Sequence, residues 1–198
     1  MRKYFVLVAL CACSTIASAQ VGEFSASFGA GRFSDSGVGA IQETATSFRN
    51  VSMDDGFRMA LRMTLNTGRW TGHEFGYGYS RSGISVAGAE LAPVSVHSGL
   101  YHFLLYATPE GTRVRPFAAG GGHFSSFFPP GADVYYGNQI TKFGFNFGGG
   151  IKARVTDVWG IRIDVRQYGT GQPFSDFFVR TEGLLWQTEI TAGISFNF

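Results

Sequence analysis

Beyond residue 13 the chain has no cysteine; its two are Cys11 and Cys13. The rest of the chain therefore has no disulfide and no cysteine-based metal site. Charge is also scarce. Asp, Glu, Lys and Arg make up 15% of residues, against about 25% in an average soluble domain. Helical bundles need charged residues on their solvated faces, and glycine is costly inside helices. The 28 glycines in 198 residues therefore argue against one. No apolar run reaches the roughly 18 residues that a membrane helix requires. No fixed 20–50-residue repeat is present. Removing Arg2 and Lys3 leaves 14 of the 16 basic residues against 14 acidic ones, so net charge gives no reason to expect nucleic acid.

What is present is apolar and aromatic. Hydrophobic residues form 44% of the chain, with 20 phenylalanines, too many for a disordered protein. At the start, Arg2 and Lys3 precede a short apolar stretch from Tyr4 to Cys13, followed by the small-residue triplet Ala17-Ser18-Ala19. This is the pattern of a cleaved secretory signal over residues 1–19, with a mature chain over 20–198 starting at Gln20. Leu10-Cys11-Ala12-Cys13 has some likeness to a lipoprotein box with Cys13 as the lipidated residue. The cysteine at its second position and the well-formed Ala-x-Ala site weigh against that reading.

Downstream the apolar residues alternate. Phe57, Met59, Leu61, Met63 and Leu65 share one parity; Arg58, Ala60, Arg62, Thr64 and Asn66 share the other. A period of two over nine residues is a strand with one apolar and one polar face. The same alternation runs through 73–80, 142–155, 159–168 and 186–198, and more weakly through 22–33. Residues 94–106 and 113–125 are also expected strands, but apolar residues on both parities leave their facing open. Eight strands result. Links near 35–56, 82–93, 126–139 and 169–184 are long. Those near 67–70, 108–111 and 156–157 are short.

This pattern resembles the eight-stranded outer-membrane β-barrels of the OmpA/OmpX-like type. The carriers are the signal, the eight segments, Arg113-Val114-Arg115-Pro116-Phe117 leading into a Gly-rich strand, and the closing Ile194-Ser195-Phe196-Asn197-Phe198. The resemblance implies an all-β, eight-stranded antiparallel up-and-down transmembrane barrel in the bacterial outer membrane. Long links would be extracellular and short ones periplasmic. It also implies that Ile194, Phe196 and Phe198 form the signal read by the outer-membrane assembly machinery. Expected partners are outer-membrane lipids and lipopolysaccharide, with that machinery during biogenesis. The protein is expected to be monomeric, without cofactor, metal or nucleic acid.

A soluble lipocalin-like binding barrel would alternate too, with its apolar face inside. Against it, the apolar face is rich in Phe and Tyr and the polar face is full of glycine. Trp70 and Trp159 fall near one set of strand ends and Tyr79, Tyr168 and Trp186 near the other, the placement of two interfacial belts. The polar face would then line a narrow lumen. Arg58, Arg62, Glu74, Arg162, Asp164, Arg166 and Glu189 are its charge set, joined by Lys142, Lys152 and Arg154. Such a set suits an anion path or a structural salt-bridge core. The second is favoured, because an eight-stranded interior is just wide enough for its own side chains.

His123-Phe124-Ser125 is the one catalytic-looking fragment, since His-x-Ser on a strand puts both side chains on one face. It resembles the lipid A deacylases, also eight-stranded barrels. Here, however, the later strand that carries their pair reads Arg166-Gln167-Tyr168-Gly169, without His. No catalytic residue is therefore expected. His73, His97 and His102 lack metal-ligand spacing, and His73 and His102 read as interfacial. Gly120-Gly121-Gly122 and Gly148-Gly149-Gly150 lack the strand–loop–helix context of phosphate loops. Loop specificity would rest on Arg49, Asp54 and Asp55, on Phe127, Phe128, Tyr135 and Tyr136, and on Phe174, Phe177 and Phe178. The aromatic tips either bind a partner or pack on one another. The expected function is structural or loop-mediated adhesion.

Overall fold

Alternating side chains along each strand send one set inward and the other outward, and the closed sheet separates the two sets completely. The computed structural model describes residues 22–34, 38–128, 139–175, 178–179 and 183–198. The expected signal segment, Tyr135, Tyr136 and Phe177 lie outside the described residues. The strands are β1 (Gly22–Phe33), β2 (Gly39–Gln42), β3 (Phe48–Met53), β4 (Gly56–Asn66), β5 (Thr71–Val86), β6 (Ala89–Tyr106), β7 (Val114–Phe128), β8 (Ile140–Arg154), β9 (Trp159–Thr170) and β10 (Leu185–Asn197). Eight of them, β1 and β4 to β10, form a closed antiparallel barrel, sealed by the pairings of β1 with β10 and of β5 with β6.

The register fixes the barrel's size. Starting at Gly22, successive partners run Leu65, His73, Phe103, Gly120, Phe147, Gln167 and Thr188 and return to β1 at Arg32. One circuit thus climbs from residue 22 to residue 32, a stagger of ten residues. Strands this tilted in an eight-stranded barrel leave an interior that side chains can fill.

Outward positions are apolar and exposed, among them Phe24, Phe28, Met63, Phe75, Phe147, Ile163 and Ile194. Inward positions are polar and buried, among them Ser25, Arg62, Glu74, Arg162, Asp164 and Glu189. The arrangement is the reverse of a soluble barrel. It also settles the two strands of open facing. On β6, Val94, Val96, Ser98, Leu100, His102, Leu104 and Tyr106 point inward; on β7, Phe117, Ala119, His123, Ser125 and Phe127 do. Both faces of β6 look apolar because its inward side chains join one apolar cluster through Val94 and Val96 and another through Leu104 and Tyr106.

Residues 82–93, expected as a long loop, are not one. β5 and β6 continue upward to a two-residue turn at Ala87-Gly88, with φ of 51° and 83°. Paired positive φ values suit the right-handed twist of a tight hairpin. The long link after β1 holds a second hairpin, β2–β3, that pairs with the top of β5 through Val51↔Val86 and Met53↔Ile84. An isolated bridge between Ala40 and Val179 ties the last long link to β2. Beneath this upper sheet, Phe33, Val38, Val51, Met53, Ile84, Val94, Val96, Phe127, Phe174 and Leu185 form a buried apolar cluster over the lumen. Three of the described aromatic tips therefore pack together: Phe174 has its ring 5.7 Å from Phe127 and 5.9 Å from Phe178.

Candidate functional site: the barrel lumen

Inward parity and register bring the seven expected lumen charges into one network. Glu189 on β10 accepts from Arg58 Nε at 2.7 Å, from Arg62 Nη2 and from the Tyr168 hydroxyl at 3.0 Å. Glu74 on β5 sits 2.9 Å from Arg162, 3.1 Å from Arg166 and 3.6 Å from Arg62. It also accepts from Thr64 Oγ1 at 3.1 Å. Asp164 on β9 accepts from both of its strand neighbours two positions away, Arg162 at 2.7 Å and Arg166 at 3.0 Å. The hairpin register places Arg62 opposite Gly76 and Thr64 opposite Glu74, so Arg62 reaches the carboxylate diagonally.

Glycine makes room for these long side chains. Gly78 lies directly under the Arg58 guanidinium, where a Cβ would collide with Nη2 and Cζ. At Gly148 a Cβ would stand 3.0 Å from Arg166 Cδ. Each arginine thus spans the lumen over a position without a side chain.

Two members were misread from the sequence and a third was not picked out. Tyr168, expected in an interfacial belt, is 2% exposed and faces the lumen. Its ring takes the Arg58 guanidinium at 5.2 Å and its hydroxyl bonds Glu189. It shares the parity of Arg162, Asp164 and Arg166, so alternation alone assigns it inward. His102, also read as interfacial, is fully buried with Nδ1 3.2 Å from Glu74 Oε1. Glu23, singled out by no motif, binds Lys152 Nζ at 2.9 Å near the lower mouth. Of the other cations, Lys142 is half-buried towards the upper end and Arg154 is exposed at the lower mouth, donating to the Gly111 carbonyl at 2.6 Å. A cavity of about 170 Å³ opens at that mouth, with Glu23, Lys152, Arg115 and Arg154 among its lining residues.

The model of the outer membrane protein beta-barrel domain matches residues 5–198. The chain belongs to this outer-membrane barrel family. No curated protein sequence matches it. Among solved structures it is similar to outer membrane protein OprG of Pseudomonas aeruginosa, with 12% identity and a TM-score of 0.67 over 91% of this chain and 96% of that one. It is similar also to the Neisserial surface protein A, with 15% identity and a TM-score of 0.57 over 91% and 98%. A third is Ail, the attachment invasion locus protein of Yersinia pestis, solved with a heparin analogue, with 10% identity and a TM-score of 0.54 over 91% and 100%. The protein is thus a bacterial outer-membrane barrel, with its short links periplasmic and its long ones extracellular.

In this outer-membrane barrel the lipid-facing wall is banded. Trp159 packs on Phe196 at 5.5 Å and Phe196 on Phe198 at 6.3 Å, at the periplasmic edge. Trp70 is exposed in the first short link. At the extracellular edge Trp186 packs edge-on to Phe145 at 5.6 Å, and Tyr79 packs on His97 at 5.1 Å. Ile194, Phe196 and Phe198 all point outward. Polar groups on this wall pair with each other: His73 with Tyr101 at 2.9 Å, Tyr77 with His97 at 2.6 Å, and Thr188 with Gln167 at 2.7 Å. In hydrocarbon such pairing is obligatory.

His123 and Ser125 point into the lumen, away from lipid. His123 Nε2 lies 2.9 Å from Thr170 Oγ1, and Ser125 Oγ lies 2.8 Å from Ser98 Oγ. Among the described residues no carboxylate hydrogen-bonds His123. The two side chains serve different partners rather than each other.

Proposed function

We propose that this protein is a non-conducting outer-membrane barrel that displays a rigid extracellular sheet for loop-mediated binding, and that it carries no enzymatic activity. The observation behind the first part is the double obstruction of the lumen. Buried guanidinium–carboxylate pairs cross it at mid-height, and an apolar cluster lies above them. An ion would have to break paired charges and then enter an apolar layer, which is costly in a low-dielectric interior.

The upper ends of β5 and β6 and the β2–β3 hairpin support the second part. They stand on that apolar cluster and so hold their shape without lipid. Ile41 and Leu91 remain exposed on this layer. The connections over 34–55, 129–139 and 171–184 carry seven acidic residues against two basic ones. An acidic balance of this kind in the extracellular connections favours a basic or neutral partner. It is the opposite of what a sulfated sugar such as the ligand of Ail would need.

Planar-bilayer recording is the test of the first part. The purified barrel should add no conductance above the bare bilayer; resolved unitary steps would refute the closed lumen. For the second, cells displaying the double variant Ile41→Ser/Leu91→Ser should adhere less than wild type at equal surface amount. Unchanged adherence would refute the extracellular platform.

A further inference from the structure

Charge is almost absent from the wall that faces lipid. On the outward parity of the eight barrel strands, counted on β6 from Ser95 downward, there is no Asp, Glu or Lys, and there are two arginines, Arg32 and Arg81. Both stand at the extracellular end and on one side of the barrel. The pairings Ala30↔Phe57 and Phe57↔Arg81 put Arg32 two strands across from Arg81 and two residues higher. With strands about 4.8 Å apart and a rise of about 3.4 Å per residue, their α-carbons are about 12 Å from each other. Two arginine side chains can converge on one group across that gap.

Both side chains are exposed. Arg32 lies 3.2 Å from Asp55, in a pair whose side chains are 67% and 59% exposed. An ion pair so open to solvent contributes little and exchanges partners readily. Arg81 has no ion-pair partner among the described residues. Beneath the two arginines the wall is aromatic. Tyr79 is two residues below Arg81, and Phe57, on the strand between, stacks on Phe28 at 6.2 Å. Phe57 and Phe28 are each about half exposed. An arginine at a membrane edge can snorkel to water, and a ring of them would need no ligand. Here β6 to β10 contribute no outward cation along the wall, so the pair is a local feature and not a ring.

We propose that Arg81 and Arg32 hold a phosphate of a phosphorylated outer-leaflet glycolipid, of lipopolysaccharide type, whose acyl chains lie on Phe57, Phe28 and Tyr79. A cationic head region directly above an aromatic surface complements an amphiphile with an anionic head. The planar guanidinium suits phosphate oxygens, through charge-assisted bonds that also fix orientation. The extracellular end decides the leaflet. Asp55 then competes with the phosphate for Arg32 and repels it.

The test uses the full mature barrel in phosphatidylcholine nanodiscs, with lipid A added and retained copies counted by native mass spectrometry. Wild type should retain phosphorylated lipid A and release the dephosphorylated form; equal retention of the two would overturn the proposal. Arg81→Gln should weaken retention by about tenfold or more, the loss of a charge-assisted hydrogen bond. Asp55→Asn should strengthen it. An unchanged affinity in Arg81→Gln would overturn the site, and no gain in Asp55→Asn would remove Arg32 from it. Phosphatidylglycerol should be retained more weakly than lipid A; equal retention would overturn the assignment to the glycolipid. Arg69→Gln, in the first short link, should change nothing, and a matching loss there would show a general charge effect and count against the site. Arg81 points away from the packed lumen, so its variant keeps the fold.

Discussion

Glu74→Ala should be the most damaging single change in the lumen. Its carboxylate meets Arg162 at 2.9 Å, Arg166 at 3.1 Å, His102 at 3.2 Å and Arg62 at 3.6 Å, and it takes the Thr64 hydroxyl at 3.1 Å. Among the described residues five cations are buried, Arg58, Arg62, Lys152, Arg162 and Arg166, against four carboxylates, Glu23, Glu74, Asp164 and Glu189, so its loss raises the excess of buried positive charge from one to two. Truncating one partner of a buried ion pair costs about 3–5 kcal/mol, because the other stays charged and unpaired. Arg166→Ala, by contrast, brings buried cations and carboxylates to equal numbers, and should cost less, about 1–3 kcal/mol from lost packing and hydrogen bonds. Combining the two changes should therefore destabilise by less than their sum, with a coupling of about 1–3 kcal/mol. The Glu74–Arg62 coupling should be smaller than that of Glu74 with Arg162, because Arg62 gives its Nη2 to Glu189 instead. Urea unfolding in phospholipid vesicles, followed by the fluorescence of Trp70, Trp159 and Trp186, measures all of these. If Arg166→Ala proves as costly as Glu74→Ala, or the cycles show no coupling, the account of the lumen as a charge-matched core is wrong.

Leu61 and Ile163 face lipid on β4 and β9, and Arg at either should cost about 2–4 kcal/mol in the same assay if they lie near the bilayer middle; unchanged stability would reverse the facing. Ala87 holds a left-handed φ of 51° in the β5–β6 turn, so Ala87→Gly should stabilise that hairpin by about 1 kcal/mol, read as slower amide exchange in its upper strands. Deleting Phe198 should slow appearance of the heat-modifiable folded band in cells, since it removes an outward aromatic from the closing strand. Mass spectrometry of the protein from membranes should find an N-terminus at Gln20 without lipid; a diacylglyceryl group on Cys13 would show a lipoprotein.

Alternation made the barrel legible from the sequence. Period-two runs such as Phe57 to Leu65 and Trp186 to Phe198 assign both strand and facing, because every second side chain must share a solvent. The unusual sign, apolar and aromatic outward with glycine and charge inward, followed from sparse charge together with an apolar face rich in Phe and Tyr and a polar face full of glycine. Tyr168 was legible too, by the same rule, once position near a strand end was set aside in favour of parity. Other features depended on the closed sheet. Residues 82–93 hold no run of apolar alternation strong enough to show that β5 and β6 rise above the membrane, because there they pack on the β2–β3 hairpin and the apolar cluster. His102 belongs to the charge core because the β5–β6 hairpin, turning at Ala87-Gly88, sets it directly opposite Glu74. Glu23 on β1 and Lys152 on β8, 129 positions apart, meet only across the closed lumen. Parity is a local property of one strand, set by backbone geometry. Which charges face each other across the lumen is a property of the circuit, and exists only when β1 closes on β10.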